Sequence, residues 1–140
     1  MCILPSGFTI RKATPNEIRA ITTEPRVLAA IGKEIDSSSD FYIELYKDYS
    51  LLFELEDRGS GMCEIHIAMP RNSIIASRAM ILGGLHWVFE VGMPGTKVLY
   101  TTCPEGNTKI SNMLHKLGWI RVSSGLGLCE FIFPKTKLFQ

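Results

Sequence analysis

No stretch of this 140-residue chain is long, apolar and uncharged enough to span a bilayer. The longest apolar segment, Ile74 to Gly92, is broken by Arg78, His86 and Glu90, so no membrane partner is expected. An excess of one charge is also missing. Fifteen Lys and Arg face fourteen Asp and Glu, a net charge of +1, which withholds the usual basic footprint of a nucleic-acid binder. Net charge hides distribution, so a local basic patch stays open. Cysteine is scarce: Cys2, Cys63, Cys103 and Cys129 form no C-x-x-C pair, and none lies near a His at zinc spacing, so no metal site is expected. Three of the four fall in apolar, strand-like runs, which reads as buried free thiols in a reducing compartment. The opening residues, Met1 to Gly7, lack a basic region followed by a long apolar run, so no signal peptide is expected. Repeats, low-complexity tracts and linkers are absent. With 46% apolar and 21% charged residues, the expectation is one globular domain over 1–140.

What is present is a sequence of short periodic segments. Phe8 to Lys12 alternates as a strand, with Phe8 and Ile10 on one face. Thr14-Pro15-Asn16-Glu17 reads as a capping box that starts a helix carrying Ile18 and Ile21 inward, with Pro25 ending it. A short helix is expected over about Arg26 to Ile31. Phe41–Tyr46, Tyr49–Glu56 and Met62–Met69 read as three strands. Lys47-Asp48 forms a tight turn between the first two, and Arg58 to Gly61 a looser one between the last two. This predicts an antiparallel meander. After residue 70 the pattern becomes helix (Ser73–Val91), strand (Lys97–Cys103), helix (Asn107–Leu117), which signals a crossover to a parallel neighbour. Ile120–Ser123 and Leu126–Phe133 close the chain as an antiparallel pair. The long helix presents Ile75, Leu82 and Phe89 with Ile81, Leu85 and Val88 beside them, a wide face suited to a sheet. Gly83-Gly84 in its middle costs about 1 kcal/mol per residue relative to Ala, which a close backbone approach would explain.

This order of elements, from Phe8 through Phe133, resembles the GCN5-related N-acetyltransferase (GNAT) superfamily. Its most specific part is Asn107-x-x-Ile110-x-x-x-Leu114-x-Lys116-x-Gly118-Trp119, similar to the family's Asn-led helix ending in Lys-x-Gly-aromatic. Glu64-x-His66 before Pro70-Arg71, and Glu24-Pro25-Arg26-Val27, look like compact GNAT-like proteins of tailed bacteriophages. The resemblance implies an α/β (α+β) fold with a mixed, mostly antiparallel sheet of six to seven strands and about four flanking helices. It implies an N-acyltransferase that uses acetyl-CoA by direct amine attack on the thioester. The acceptor would be an amine-bearing small molecule or protein. The alternative is a catalytically degenerate phage protein acting in head assembly, ejection or host interaction, with a phage or host protein partner or as a homo-oligomer. The location would be the host cytoplasm or the virion.

The resemblance also assigns residues. Met69, Arg71, Asn72, Ser73, Ala76 and Ser77 match the turn whose amides and helix dipole receive the CoA pyrophosphate. Ile74 stands where the family places a glycine, and a β-branched side chain there crowds the approach. Asn107 would cap its helix and touch the pantetheine arm. Leu114 stands where many members carry a tyrosine that protonates the departing thiolate. Glu64 and His66 share one strand face and are the candidates for deprotonating the amine. A hydrogen-bonded pair or two solvent-facing side chains is the alternative reading of the same spacing. His86 reads as a satisfied boundary histidine and His115 as solvated. Tyr42, Tyr46 and Tyr49 read as core or edge residues.

Overall fold

The structure, a computed structural model, describes residues 7–23, 40–68 and 77–139. β1 (Phe8–Lys12), β2 (Asp40–Tyr46), β3 (Tyr49–Gly59) and β4 (Met62–Ala68) form the expected meander, each antiparallel to the last. β5 (Val98–Pro104) then lies parallel to β4, and β7 (Leu128–Pro134) and β6 (Ile120–Gly125) complete a seven-stranded sheet in the order β1-β2-β3-β4-β5-β7-β6. Three α-helices accompany it among the described residues: α1 (Pro15–Thr22), α2 (Ser77–Trp87) and α3 (Thr108–Lys116). None of these helices is long and apolar enough to cross a membrane. The short helix expected over Arg26 to Ile31 lies outside the described residues.

Strand alternation sorts the side chains onto two faces. One face carries Leu51, Phe53, Leu55, Cys63, Ile65, Leu99, Phe131 and Phe133. It is covered by Met80, Ile81 and Leu85 of α2, Leu114 of α3 and Leu117 at the C-cap of α3. The other face buries Ile43, Leu52 and Ala68 beneath Ile21 of α1. α1 starts as its sequence predicts. The Glu17 amide donates to Thr14 Oγ1 at 3.2 Å, and the Thr14 amide donates to Glu17 Oε1 at 2.9 Å. Arg11 clamps the same carboxylate at 2.7 and 2.8 Å. Together with the capping amide it holds the Glu17 pKa down at about 2.

Several boundaries differ from expectation for identifiable reasons. The helix expected through Val91 is α-helical only to Trp87 and becomes a π-helical turn over Val88–Gly92, closed by Met93 N–H donating to Val88 O at 2.8 Å. Its buried row is Ile81, Leu85, Val88 and Phe89, joined by Met80, while Leu82 is only half-buried. The β3–β4 connection is tighter than expected: Ser60 and Gly61 form the turn, both with positive φ (56° and 80°), as a twisted hairpin demands. Arg58, expected in that turn, is instead the extra residue of a β-bulge between Asp57 and Gly59. The Gly59 amide donates to Asp57 Oδ1 at 2.8 Å and steadies the bulge. β6 runs on to Gly125, and Leu126-Gly127 makes its turn.

The glycines of α2 have a tertiary cause. A Cβ on Gly84 would stand 2.9 Å from Glu44 Oε1, and one on Gly83 would stand 3.6 Å from Glu44 Oε2. The helix approaches β2 closely enough that a Cβ at Gly84 falls inside contact distance of this fully buried carboxyl, whereas one at Gly83 would make ordinary contact. At the end of the π turn, a Cβ on Gly92 would stand 2.9 Å from Trp87 Cε3 and Cη2, and nearer still to Cζ3. The Trp87 ring is held by Tyr42 and Phe53, at centroid distances of 5.1 and 5.9 Å, and has little room to yield. Gly92→Ala is therefore expected to lower stability by about 1–3 kcal/mol. A urea midpoint equal to that of the wild type would show that the ring moves freely.

Candidate functional site

β4 and β5 begin side by side and then part. Their parallel pairing covers Met62↔Val98, Cys63↔Leu99 and Glu64↔Tyr100, whereas β4 continues to Ala68 and β5 to Pro104. Where the ladder stops, Thr101 Oγ1 donates to Ile65 O at 2.6 Å, a side chain taking the place of a backbone donor. Beyond it, the facing edges of the two strands form no further ladder pairs among the described residues. Backbone amides and carbonyls in a sheet interior need partners, so such a gap suits an extended ligand that carries its own amides.

Glu64 and His66 project from β4 at this gap, on the face opposite α2 and α3. Both are buried, at 6% and 7% exposure, and their side chains bond directly through Glu64 Oε2 and His66 Nε2. Glu64 Oε1 accepts from Arg58, whose Nε lies at 2.9 Å and whose second contact runs from the terminal guanidinium nitrogen. The β-bulge supplies that arginine. Burial pushes the Glu64 pKa up, but the hydrogen bonds from His66 and Arg58 together prevail and hold it below the ordinary value. With Nε2 committed to the carboxylate, Nδ1 is the basic nitrogen of a neutral His66 ring. Cross-strand register sets Glu54, Glu56 and Tyr100 on this same face. Tyr100 donates to Glu130 at 2.8 Å. Burial first, and then Glu130, raise its pKa to about 12, which makes it a poor acid.

On the opposite face a groove of about 380 Å³ separates α2 from α3, lined by Arg78, Lys109, Asn112, Met113, Lys116 and Leu117. Four of these come from α3 at spacings of three, four and seven, one stripe of a helix. Three are cationic, so a chain of near-zero net charge has a local basic patch after all.

The residues expected at the site are distributed unevenly. Glu64 and His66 meet. Asn107 is the N-cap of α3, its Oδ1 accepting from the Ile110 amide at 3.2 Å, and its helix begins one residue later than expected, at Thr108. Met69, Arg71, Asn72, Ser73, Ile74 and Ala76 lie outside the described residues, and Ser77 is described only as the first residue of α2. Leu114 points into the core at 4% exposure. His86 is half-buried and His115 exposed. Arg58, Lys109 and Asn112 escaped sequence reasoning. The α3 stripe was present as a spacing of polar residues, whereas nothing local announces a bulge that turns Arg58 toward Glu64.

No family model and no curated protein matches this sequence. Solved structures do match it in shape. The spermidine N-acetyltransferase of Vibrio cholerae, in complex with CoA and spermine, aligns over 97% of this chain and 100% of its own, with a TM-score of 0.77 at 12% identity. The N-acetyltransferase PseH of Campylobacter jejuni aligns over 92% and 99%, at 0.70 and 9%. Apo FdhC, a nucleotide-linked sugar GNAT, aligns over 95% and 89%, at 0.70 and 17%. The chain therefore has the GNAT fold.

Proposed function

We propose that this protein is an acetyl-CoA-dependent N-acyltransferase that transfers the acetyl group directly to an amine. The observation that carries this reading is the basic groove between α2 and α3 on a GNAT fold whose β4 and β5 part after Glu64↔Tyr100. Arg78, Lys109 and Lys116 would hold the nucleotide phosphates of CoA. The open edges of β4 and β5 would hold the amides of the pantetheine arm, with Asn107 at the start of α3 beside them. When bound, acetyl-CoA supplies the activated acetyl group.

The residues of this chain then divide the proton chemistry. His66 Nδ1 accepts the proton that the amine must lose, directly or through a water. Glu64 steadies the imidazolium that results, and Arg58 keeps Glu64 ionised and fixed. Leu114 offers no proton donor, yet a thiolate is a far weaker base than an alkoxide or amide anion and can leave without one. Glu54, Glu56 and Glu130 on the acceptor face favour a cationic amine. Spermine in the Vibrio structure is an amine of that kind.

The test is a CoA titration. Acetyl-CoA at a hundred times its Kd should stabilise the wild type by about 2.7 kcal/mol, read as a rise in Tm. Lys109→Glu combined with Lys116→Glu should weaken binding at least tenfold, with a shallower salt dependence than the wild type. A wild type indifferent to millimolar acetyl-CoA would leave the fold as that of an interaction protein, the reading that goes with assembly or host contact. Equal affinity in the double variant would move the site elsewhere.

A further inference from the structure

Two cysteines outside the proposed site stand directly across from each other. Cys103, near the end of β5, registers with Cys129, near the start of β7. Opposed residues on antiparallel strands point to the same side of the sheet, and both thiols are buried at 2% exposure. Both are free in this structure.

The phase of the ladder can be read from its two ends. Lys135 N–H donates to Lys97 O at 2.8 Å, and Glu105 N–H donates to Gly127 O at 2.8 Å. Both pairs continue the β5–β7 register. Antiparallel pairs alternate between hydrogen-bonded and non-bonded, so every second pair between those ends is hydrogen-bonded: Leu99↔Phe133, Thr101↔Phe131 and Cys103↔Cys129. Pro134, which has no N–H, falls on the non-bonded phase opposite Val98, as it must. Hydrogen-bonded pairs hold their Cα atoms about 5.5 Å apart. Disulfides span about 4.4–6.8 Å between Cα atoms, so the Cα spacing permits a bridge, while the Cβ atoms of a hydrogen-bonded pair, about 5.5 Å apart, must close by about 1 Å to reach disulfide spacing.

We propose that Cys103 and Cys129 form a modification site, a reversible cross-strand disulfide made when a small peroxide reaches them. One thiolate attacks the peroxide oxygen and becomes a sulfenic acid, releasing water. The second thiol attacks that sulfur, forms the S–S bond and releases a second water. Two thiols lose two electrons, and one peroxide is reduced to two waters. The pair sits near two exposed turns, Glu105-Gly106 and Leu126-Gly127, with the Pro104↔Leu128 pair and the Glu105–Gly127 hydrogen bond beyond it at the ladder's end, and Ser124 of β6 registers with Cys129 on its other side. Fraying of that end admits a small oxidant. Burial first, and then the charge and hydrogen bond of Cys129, push the Cys103 thiol above its ordinary value, so the reaction quickens as pH rises. The bond would close a loop containing all of α3 and β6, clamping the helix that carries Lys109 and Lys116 to the sheet.

Cys63 is the internal control. It is equally buried, lies against Met93 Sδ at 3.3 Å, and faces Asp57 and Leu99 across its ladders rather than a cysteine. The experiment treats the full chain carrying Cys2→Ser with hydrogen peroxide, alkylates it in denaturant and maps its peptides without reductant. The expected result is one cross-linked species joining Cys103 to Cys129, about 2 Da lighter than the two reduced peptides, with Cys63 alkylated. Dithiothreitol should restore both thiols. The oxidised protein should melt several degrees above the reduced one, a shift absent from Cys129→Ser. Cys103 and Cys129 both alkylated after oxidation, or converted to sulfinic acid without a cross-link, would overturn the proposal.

Discussion

His66→Ala is expected to lower kcat/KM for acetyl transfer by about 10²–10⁴-fold at neutral pH, the usual worth of a positioned general base. The deficit should shrink as pH rises, because more of the acceptor amine is then already deprotonated and needs no base. That pH dependence separates a proton-transfer role from a structural one, which would lower activity by the same factor at every pH. Glu64 is bonded on one oxygen to His66 and on the other to Arg58, so Glu64→Gln leaves the shape and removes the charge that stabilises the imidazolium. It should lose activity in the same direction, and combining it with His66→Ala should cost little more than His66→Ala alone, since the two act as one unit. Steady-state rates with acetyl-CoA and a polyamine probe across pH check all of this. Full activity in His66→Ala would remove the dyad from the chemistry.

Glu44→Gln is expected to stabilise the protein at alkaline pH. Glu44 is fully buried beneath Gly83 and Gly84 of α2, and neither carboxyl oxygen has a hydrogen-bond partner among the described residues. Burial alone raises its pKa from 4.5 to about 8. The folded protein thus keeps a proton that the unfolded chain releases above about pH 4.5. The stability this represents is fully present below that pH and is lost as pH rises to about 8. At roughly 1.4 kcal/mol per pKa unit, the loss approaches 4–5 kcal/mol. Glutamine cannot ionise, so the stability difference between variant and wild type should grow by about that amount between pH 4 and pH 9. Denaturant midpoints across this range decide it, and parallel profiles for the two proteins would mean that Glu44 is solvated or paired in solution. The same contact explains why Gly84→Ala should be costly: its methyl would press on the carboxyl at 2.9 Å.

Much of the fold could be read from local pattern. The capping box at Thr14 and Glu17, the alternation in β2 to β4, the change of period after residue 70 and the Asn107 cap all lie within a few residues of the structure they specify. The site was less legible. Glu64 and His66 were visible as a pair because strand period places them on one face. Their third member, Arg58, depends on a bulge that shifts one strand by a residue, and no local composition encodes that shift. The π turn at Val88–Gly92 was hidden for the same reason: the Trp87 ring over Gly92 is held by Tyr42 and Phe53 from other strands.

By itself, the sequence determined the order of helices and strands, the antiparallel meander and the crossover, because hydrophobic period and capping chemistry act over one or two turns of chain. Only the tertiary structure decided what stands opposite what. Strand register placed Cys103 against Cys129, the approach of α2 put two glycines over Glu44, and the helix pair gathered Arg78, Lys109 and Lys116 into one groove. Each of these joins residues from separate elements, and their meeting follows from how whole elements pack rather than from any segment's own preference.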